Sequence, residues 1–243
     1  MPRQTGRFTR RSRQSDQADY GKFVEAMYGY QTYQMSHSPL LPYRNGQLDG
    51  IPQKFWYCFR DGCCDVFMAD TRTQRVLEGN RAMNSAEQMA DLKKFLSAKP
   101  ERVKIVGMSI PLVPDSSDDK WNGFPTQRAE ILNYIRDEGI RKVIFLGGDV
   151  HYSTATQLTL EGNPDFKVVS IAASPFFWPF PHSSTANFKD VPGNDGSVYT
   201  IDQPWFMCRR ENFVHLDITP DKLTISVFLR QQETFGDPIV YEW

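Results

Sequence analysis

A chain of 243 residues with 40% hydrophobic content is long enough for one substantial domain whose core can order a catalytic site. The 28 basic and 29 acidic side chains leave a formal net charge of -1, which gives no global electrostatic basis for a nucleic-acid partner. No stretch approaches the roughly 20 apolar residues of a membrane-spanning helix.

Residues 1–18 are polar and carry Arg3, Arg7, Arg10, Arg11 and Arg13, so they read as a flexible basic leader to a domain over 19–243. Arg10-Arg11 also fits a twin-arginine export signal, but no apolar h-region follows, and the compartment stays open. From Tyr20 to Met35, the recurrence of Phe23, Met27, Tyr30 and Tyr33 predicts an amphipathic helix with an aromatic core stripe. Residues 55–59 and 63–69 flank Arg60-Asp61-Gly62 and predict a hairpin. Ser85 and Gln88 form a capping-box pattern before a helix whose buried stripe is Met89, Leu92, Phe95 and Leu96.

Residues 103–110 are a nearly continuous apolar run, as in a strand buried on both faces. A helix over 125–138, with Pro125 in its first turn and Gly139 at its C-cap, leads to a second buried strand at 143–146. Strand, helix and strand at these lengths make an α/β crossover. Further strands follow at 154–160, 167–172, 214–218 and 223–229, the last two around a turn at Pro220 and Asp221. Two packed sheets with helices outside accommodate this order.

Cys58, Cys63, Cys64 and Cys208 fit no zinc spacing and read as a reduced, mostly buried set. A disulfide between Cys58 and Cys63, facing one another across the hairpin, is the alternative.

The chemistry concentrates at Gly147-Gly148-Asp149-Val150-His151, directly after the buried strand at 143–146. Ligands gather where loops leave the carboxyl ends of strands in open α/β sheets, and glycines permit the sharp turn. Asp149 and His151 offer a carboxylate and an imidazole, both suited to transition metals, and on extended backbone residues two apart point the same way. The competing structural reading is a hydrogen-bonded Asp and a satisfied core His. His37 and His182 read as loop residues, and His215 as a solvated strand position. The run Phe176, Phe177, Trp178 and Phe180, stiffened by prolines, would wall a cleft or cover a sheet edge. Trp121-Asn122-Gly123-Phe124 immediately precedes a helix whose N-terminus attracts anions, with plain capping as the alternative.

Several segments in order resemble the alkaline phosphatase D family of metallophosphoesterases: Tyr28-Gly29-Tyr30-Gln31-Thr32-Tyr33-Gln34 with Ser36-His37-Ser38-Pro39, then Phe67-Met68-Ala69-Asp70-Thr71-Arg72, then Trp121-Asn122-Gly123-Phe124 with Arg128, then Gly148-Asp149-Val150-His151, then Ala173-Ser174-Pro175-Phe176. The resemblance implies an α/β/β/α four-layer sandwich with a two-metal centre of iron, calcium, manganese or zinc, and a phosphate monoester or diester substrate. Asp149 and His151 would then be metal ligands. Arg72 and Arg128 are candidates to hold phosphate oxygens, because one guanidinium bonds two at once. For Arg72 the structural alternative is joining strand to loop, and for Arg128 a helix-surface ion pair.

The Asp-x-His, Gly-Asp and Gly-Asn-His motifs of the wider superfamily do not precede the matching region. The chain is therefore expected to be the C-terminal portion of a larger enzyme, with a degenerate paralogue as the alternative. Beside phosphoester hydrolysis stand two other functions: a non-catalytic metal- or phosphate-binding module, and a partner-binding domain of undetermined oligomeric state.

Overall fold

Alternation along the buried strands decides the layering. In β6 (Val143–Gly147), Val143 and Phe145 join one apolar cluster while Ile144 and Leu146 join another, so both faces are covered. The computed structural model describes residues 17–33, 43–44, 47–48, 54–114, 117–176, 186 and 188–243. It divides into two units, Met1–Lys54 and Phe55–Trp243.

In the first unit, α1 (Gln17–Tyr33) precedes a short hairpin of β1 (Tyr43–Arg44) and β2 (Gln47–Leu48). The helix begins three positions before the expected start. Met27 and Tyr30 are half-buried but Tyr33 is 78% exposed, so the aromatic stripe is not core along its length.

In the second unit the large sheet contains β3 (Tyr57–Asp61), β4 (Cys64–Met68), β5 (Val103–Gly107), β6, β7 (Ser153–Leu160), β8 (Asn163–Ala172), β9 (Val191–Pro192), β10 (Val198–Ile201) and β11 (Phe206–Cys208). Their order is β3-β4-β5-β6-β8-β7-β10-β9, with β11 also beside β7. The neighbours β4, β5, β6 and β8 are parallel to one another, and β3 and β7 flank them antiparallel.

One face of this sheet is covered by α2 (Ala86–Ser97) and α3 (Pro125–Asp137), through Leu92, Phe95 and Leu96 and through Ile131, Leu132 and Ile135. The other face meets a sheet of β12 (Asn212–Ile218), β13 (Lys222–Leu229) and β14 (Ile239–Glu242), with Leu223 and Ile225 packed against Val66, Ile144 and Ile171. Three of the four expected layers are thus seen among the described residues of this unit. The hairpin, both helices and the strands of the crossover fall within a few residues of expectation, whereas the short β9, β10, β11 and β14 carry too few residues to show a period.

All four cysteines are free, as the reduced reading expects, although only Cys64 and Cys208 are buried; the alternative Cys58–Cys63 bridge is not formed, since Cys58 stands opposite Phe67 and Cys63 lies in the turn.

At the amino end of β4, Asp65 accepts from Arg60 Nε (3.0 Å), Arg102 Nε (2.7 Å) and Lys104 Nζ (3.0 Å). Lys104 is fully buried, and its ammonium also bonds the Ala98 carbonyl at the end of α2, where a cation complements the helix dipole. Burial alone would raise the Asp65 pKa, but hydrogen bonds from Lys104, Arg102 and Arg60 outweigh it and bring the carboxyl down to about 2. A depressed folded-state value contributes stability above the unfolded-state pKa and loses it as pH falls through the folded one. Urea midpoints measured between pH 5 and pH 2 should therefore drop for the native chain. Asp65→Asn should be less stable at pH 5 and show a shallower drop over that range.

Candidate functional site

Because β4, β5, β6 and β8 run the same way side by side, the segments 69–74, 108–114, 148–152 and 173–176 all leave the sheet at one edge. This is the edge where open α/β sheets bind ligands. At the end of β6, a Cβ on Gly147 would lie 2.5 Å from the Ile110 carbonyl carbon and the Pro111 nitrogen, so only glycine lets the segment after β5 cross so closely.

The segment after β4 is locked by Asp70. Its Oδ1 accepts from the amides of Arg72 (3.0 Å) and Thr73 (2.8 Å), and its Oδ2 accepts from the Thr73 hydroxyl. The fully buried Gln88 grips the Asp70 backbone from α2: Oε1 accepts from the amide (2.8 Å) and Nε2 donates to the carbonyl (2.9 Å). Ser85 caps α2 by accepting from the Gln88 amide at 3.2 Å. The expected capping box is therefore half used, since the Gln88 side chain serves the loop instead. Thr71 Oγ1 and Ser109 Oγ, 2.6 Å apart, tie the segments after β4 and β5.

After β6, exposure alternates: Asp149 and His151 face solvent while Val150 and Tyr152 are buried at 3% and 1%, packed with Ala172. The expected extended backbone is not found. Asp149 (φ +70°) and His151 (φ +58°) both adopt the left-handed region, which costs non-glycine residues of order 1–3 kcal/mol each and concentrates at functional sites. Burial of Val150 and Tyr152 imposes this turn and keeps Asp149 and His151 at the surface, so His151 is not a core histidine. The His151 amide donates to Ser174 Oγ (3.3 Å), and the Ser174 amide to Ser153 Oγ (2.9 Å), which joins this turn to the segment after β8. Ser153 Oγ in turn donates to Asn212 Oδ1 at 2.6 Å.

Arg72 reaches the same place. Its two terminal nitrogens stand 3.5 Å from Asp119 Oδ2 and 3.9 Å from Asp149 Oδ2, beyond ordinary hydrogen-bond length, so the fork is held between two carboxylates by charge. Asp119 is fixed from behind by the buried Arg75, whose Nη1 donates to Oδ1 at 2.6 Å and whose Nη2 bonds the Asp119 carbonyl. Burial raises the Asp119 pKa, but the bond and charge of Arg75, with Arg72 behind them, outweigh it and leave the carboxyl below its usual value. The Arg75 guanidinium also lies over the Phe124 ring, 5.3 Å from its centroid.

The structure thus brings Arg72, Asp149 and His151 to one edge. Arg128 is only 5% exposed, on the buried face of α3 with Ile131 and Leu132, rather than at the helix surface. Trp121 is fully buried in the short helical turn Trp121–Gly123, and Phe124 at the N-cap of α3 makes no side-chain capping hydrogen bond. His215 is on the solvent face of β12, as expected, edge-on to Phe228. His37, Phe177, Trp178, Phe180 and His182 lie outside the described residues, and Phe176 is 79% exposed. Sequence reasoning missed Asp70, Arg75, Gln88, Asp119 and Ser174 as site residues. Asp119 and Arg75 are 44 positions apart and no local pattern couples them.

Carboxylate and imidazole are the donor types a transition metal takes, but a catalytic site normally draws on at least three protein ligands. Among the described residues no group of three or more His, Cys, Asp or Glu gathers to hold a metal ion. Asp149 and His151 therefore fit part of a coordination sphere.

The carboxyl edge of this open α/β sheet thus carries a carboxylate, an imidazole and a guanidinium side by side. A family model of the PhoD-like phosphatases matches residues 8–227, and the chain belongs to that family. Alkaline phosphatase D of Bacillus subtilis (strain 168) is 40% identical over 48 residues, 20% of this chain and 8% of that protein. A solved structure of PhoD is similar with a TM-score of 0.56 at 18% identity, covering 88% of this chain and 45% of that one. The chain thus spans less than half of that structure, and the likeness is one of fold. The purple acid phosphatase PPD1 from yellow lupin (Lupinus luteus) seeds has a TM-score of 0.46 at 14% identity, over 79% of this chain and 33% of its own.

Asp70 is the support on which the placing of Arg72 depends. Asp70→Ala should cost about 1–3 kcal/mol, the penalty for stranding its donors. It should also speed hydrogen exchange at the Arg72 and Thr73 amides; unchanged exchange there would remove Asp70 from this role.

Proposed function

We propose that the chain takes part in hydrolysing phosphate monoesters or diesters at a metal centre to which Asp149 and His151 contribute ligands. The observation that carries this reading is the position of Arg72, a guanidinium on a locked loop, beside the exposed Asp149 at the carboxyl edge of four parallel strands. Family membership supports the substrate class. A metal held there, of the two the family resemblance implies, would polarise a phosphoryl oxygen and lower the pKa of a bound water.

The chain's own groups do the positioning. Arg72 would donate from its fork to two phosphate oxygens, as guanidinium groups do with pairs of acceptors. Asp119, held by Arg75, keeps that fork in place before the ester arrives, so little side-chain freedom is lost on binding. The Val150 and Tyr152 anchors set the direction of the Asp149 and His151 side chains in the same way. Arg128, buried in α3, would act on phosphate only if its neighbours opened.

A second reading is a non-catalytic module that binds metal or phosphate. It is favoured by the lack of a third metal-ligand side chain beside the pair among the described residues.

Metal analysis of the purified full chain, followed by turnover of p-nitrophenyl phosphate and bis-p-nitrophenyl phosphate, tests both. The proposal expects bound metal and turnover, with both lost in His151→Ala. Arg72→Ala should keep the metal and raise KM roughly 10- to 100-fold, the loss of about 1.5–3 kcal/mol from charged hydrogen bonds. Metal without turnover selects the second reading, and His151→Ala with native metal content and rate removes the assignment of His151.

A further inference from the structure

On the face of the large sheet opposite α2 and α3, a groove of about 750 Å³ runs between β4, β5 and β6 on one side and β12 on the other. Its walls are mostly apolar, including Phe59, Val66, Ile105, Leu216 and Ile218. Cys63 and Cys64 both line it at the end nearest the β3–β4 turn. Their sulfurs are 3.9 Å apart, and the Cys63 thiol donates to the Ile218 carbonyl at 3.4 Å. Nothing in the phosphoester reading uses these two thiols.

The geometry separates what the pair can do. Neighbouring Cα atoms are held about 3.8 Å apart by a trans peptide, short of the roughly 4.4–6.8 Å spanned by ordinary disulfides, so closing one here strains the backbone. A three-coordinate pyramidal centre bonded to both sulfurs at about 2.3 Å, with an angle nearer a right angle than a tetrahedral one, needs them about 3.4 Å apart. The observed 3.9 Å lies within about half an ångström of that span, a distance that a small side-chain rotation closes. Zinc itself asks for four donors, and no group of three or more His, Cys, Asp or Glu surrounds the pair among the described residues. Two sulfurs and one organic substituent satisfy a trivalent arsenic atom, and the groove supplies an apolar bed for the substituent.

We propose that Cys63 and Cys64 form a chelating dithiol site for monosubstituted trivalent arsenicals, with the organic group lying in the groove between the two sheets. The reaction with an arsine oxide balances without any oxidant. Two As–S bonds form, the As=O bond and both S–H bonds break, and the two protons leave with the oxygen as one water. Burial, then the neighbouring Cys63, pushes the Cys64 thiol up to about 12, which penalises any ligand requiring a free thiolate. Condensation with loss of water takes the protons along. Linking both bonds through one centre makes the second intramolecular, a gain of roughly 10²- to 10⁴-fold over a single thiol.

The test is titration of the reduced full chain with phenylarsine oxide, read by intact mass and by counting thiols that remain reactive. One adduct per chain is expected, protecting two thiols and reversed by a dithiol but not by an equal concentration of a monothiol. Cys63→Ala and Cys64→Ala should each weaken retention by about 10²-fold or more, whereas Cys58→Ser should not. Arsenite, which lacks the organic group, should bind the native chain less tightly than phenylarsine oxide, and urea should erase that preference. An adduct that survives Cys63→Ala unchanged, or that protects Cys58 or Cys208 instead, would overturn the site. Equal retention of phenylarsine oxide and arsenite by the folded chain would overturn the role of the groove. If Cys64→Ala fails to fold, Cys63→Ala, at a half-buried turn position, and the thiol count on the native chain still decide.

Discussion

The parallel alignment of β4, β5, β6 and β8 is the constraint from which the candidate site follows. Had β7 rather than β8 paired with β6, β8 would stand one strand further out, about 4.8 Å, and the segment after it would lie that much farther from the turn after β6 whose His151 amide Ser174 now meets. The chain instead makes an antiparallel hairpin of β7 and β8 and inserts its second arm beside β6. Four loops then converge, and Gly147 lets two of them touch backbone to backbone.

Charge is distributed differently at the two ends of β4. At the amino end, Arg60, Arg102 and Lys104 converge on one carboxylate, and the Cys64 and Ala98 carbonyls take further donors of Arg102 and Lys104, which is an arrangement for holding strands and helix together. At the carboxyl end, Arg75, Asp119, Arg72 and Asp149 alternate in sign from a buried anchor outward to an exposed pair. Each carboxylate there already faces a cation, so the edge is electrically balanced while its outermost groups remain accessible. Two left-handed residues in succession around a buried valine give that edge a shape that packing enforces rather than one the local backbone prefers.

The architecture was legible wherever a period was long enough. The apolar runs of β5 and β6, the stripes of α2 and α3, and the alternation of Leu223, Ile225, Val227 and Leu229 in β13 all declare their burial in sequence. Asp149 and His151 were legible as a pair, yet for a reason the backbone does not share, since burial of Val150 and Tyr152 replaces the alternation of an extended strand. Gln88 shows the limit most clearly: its spacing from Ser85 reads as helix capping, and only the fold reveals that its amide grips Asp70 across the layer. Asp119 and Arg75, as well as Cys63 against the Ile218 carbonyl, are long-range pairings that no window of sequence contains.

The central claim is that cations settle at the carboxyl edge, beside Asp149 and His151. Titrating isotope-labelled full chain with sub-stoichiometric Mn²⁺ and mapping the paramagnetic broadening of its amide signals tests this residue by residue. The account predicts that 148–152 broaden first, followed by 69–74 and 173–176, while the Asp65 cluster stays sharp. Broadening centred on another acidic surface, such as the loop around Asp195, with 148–152 unaffected, would contradict it.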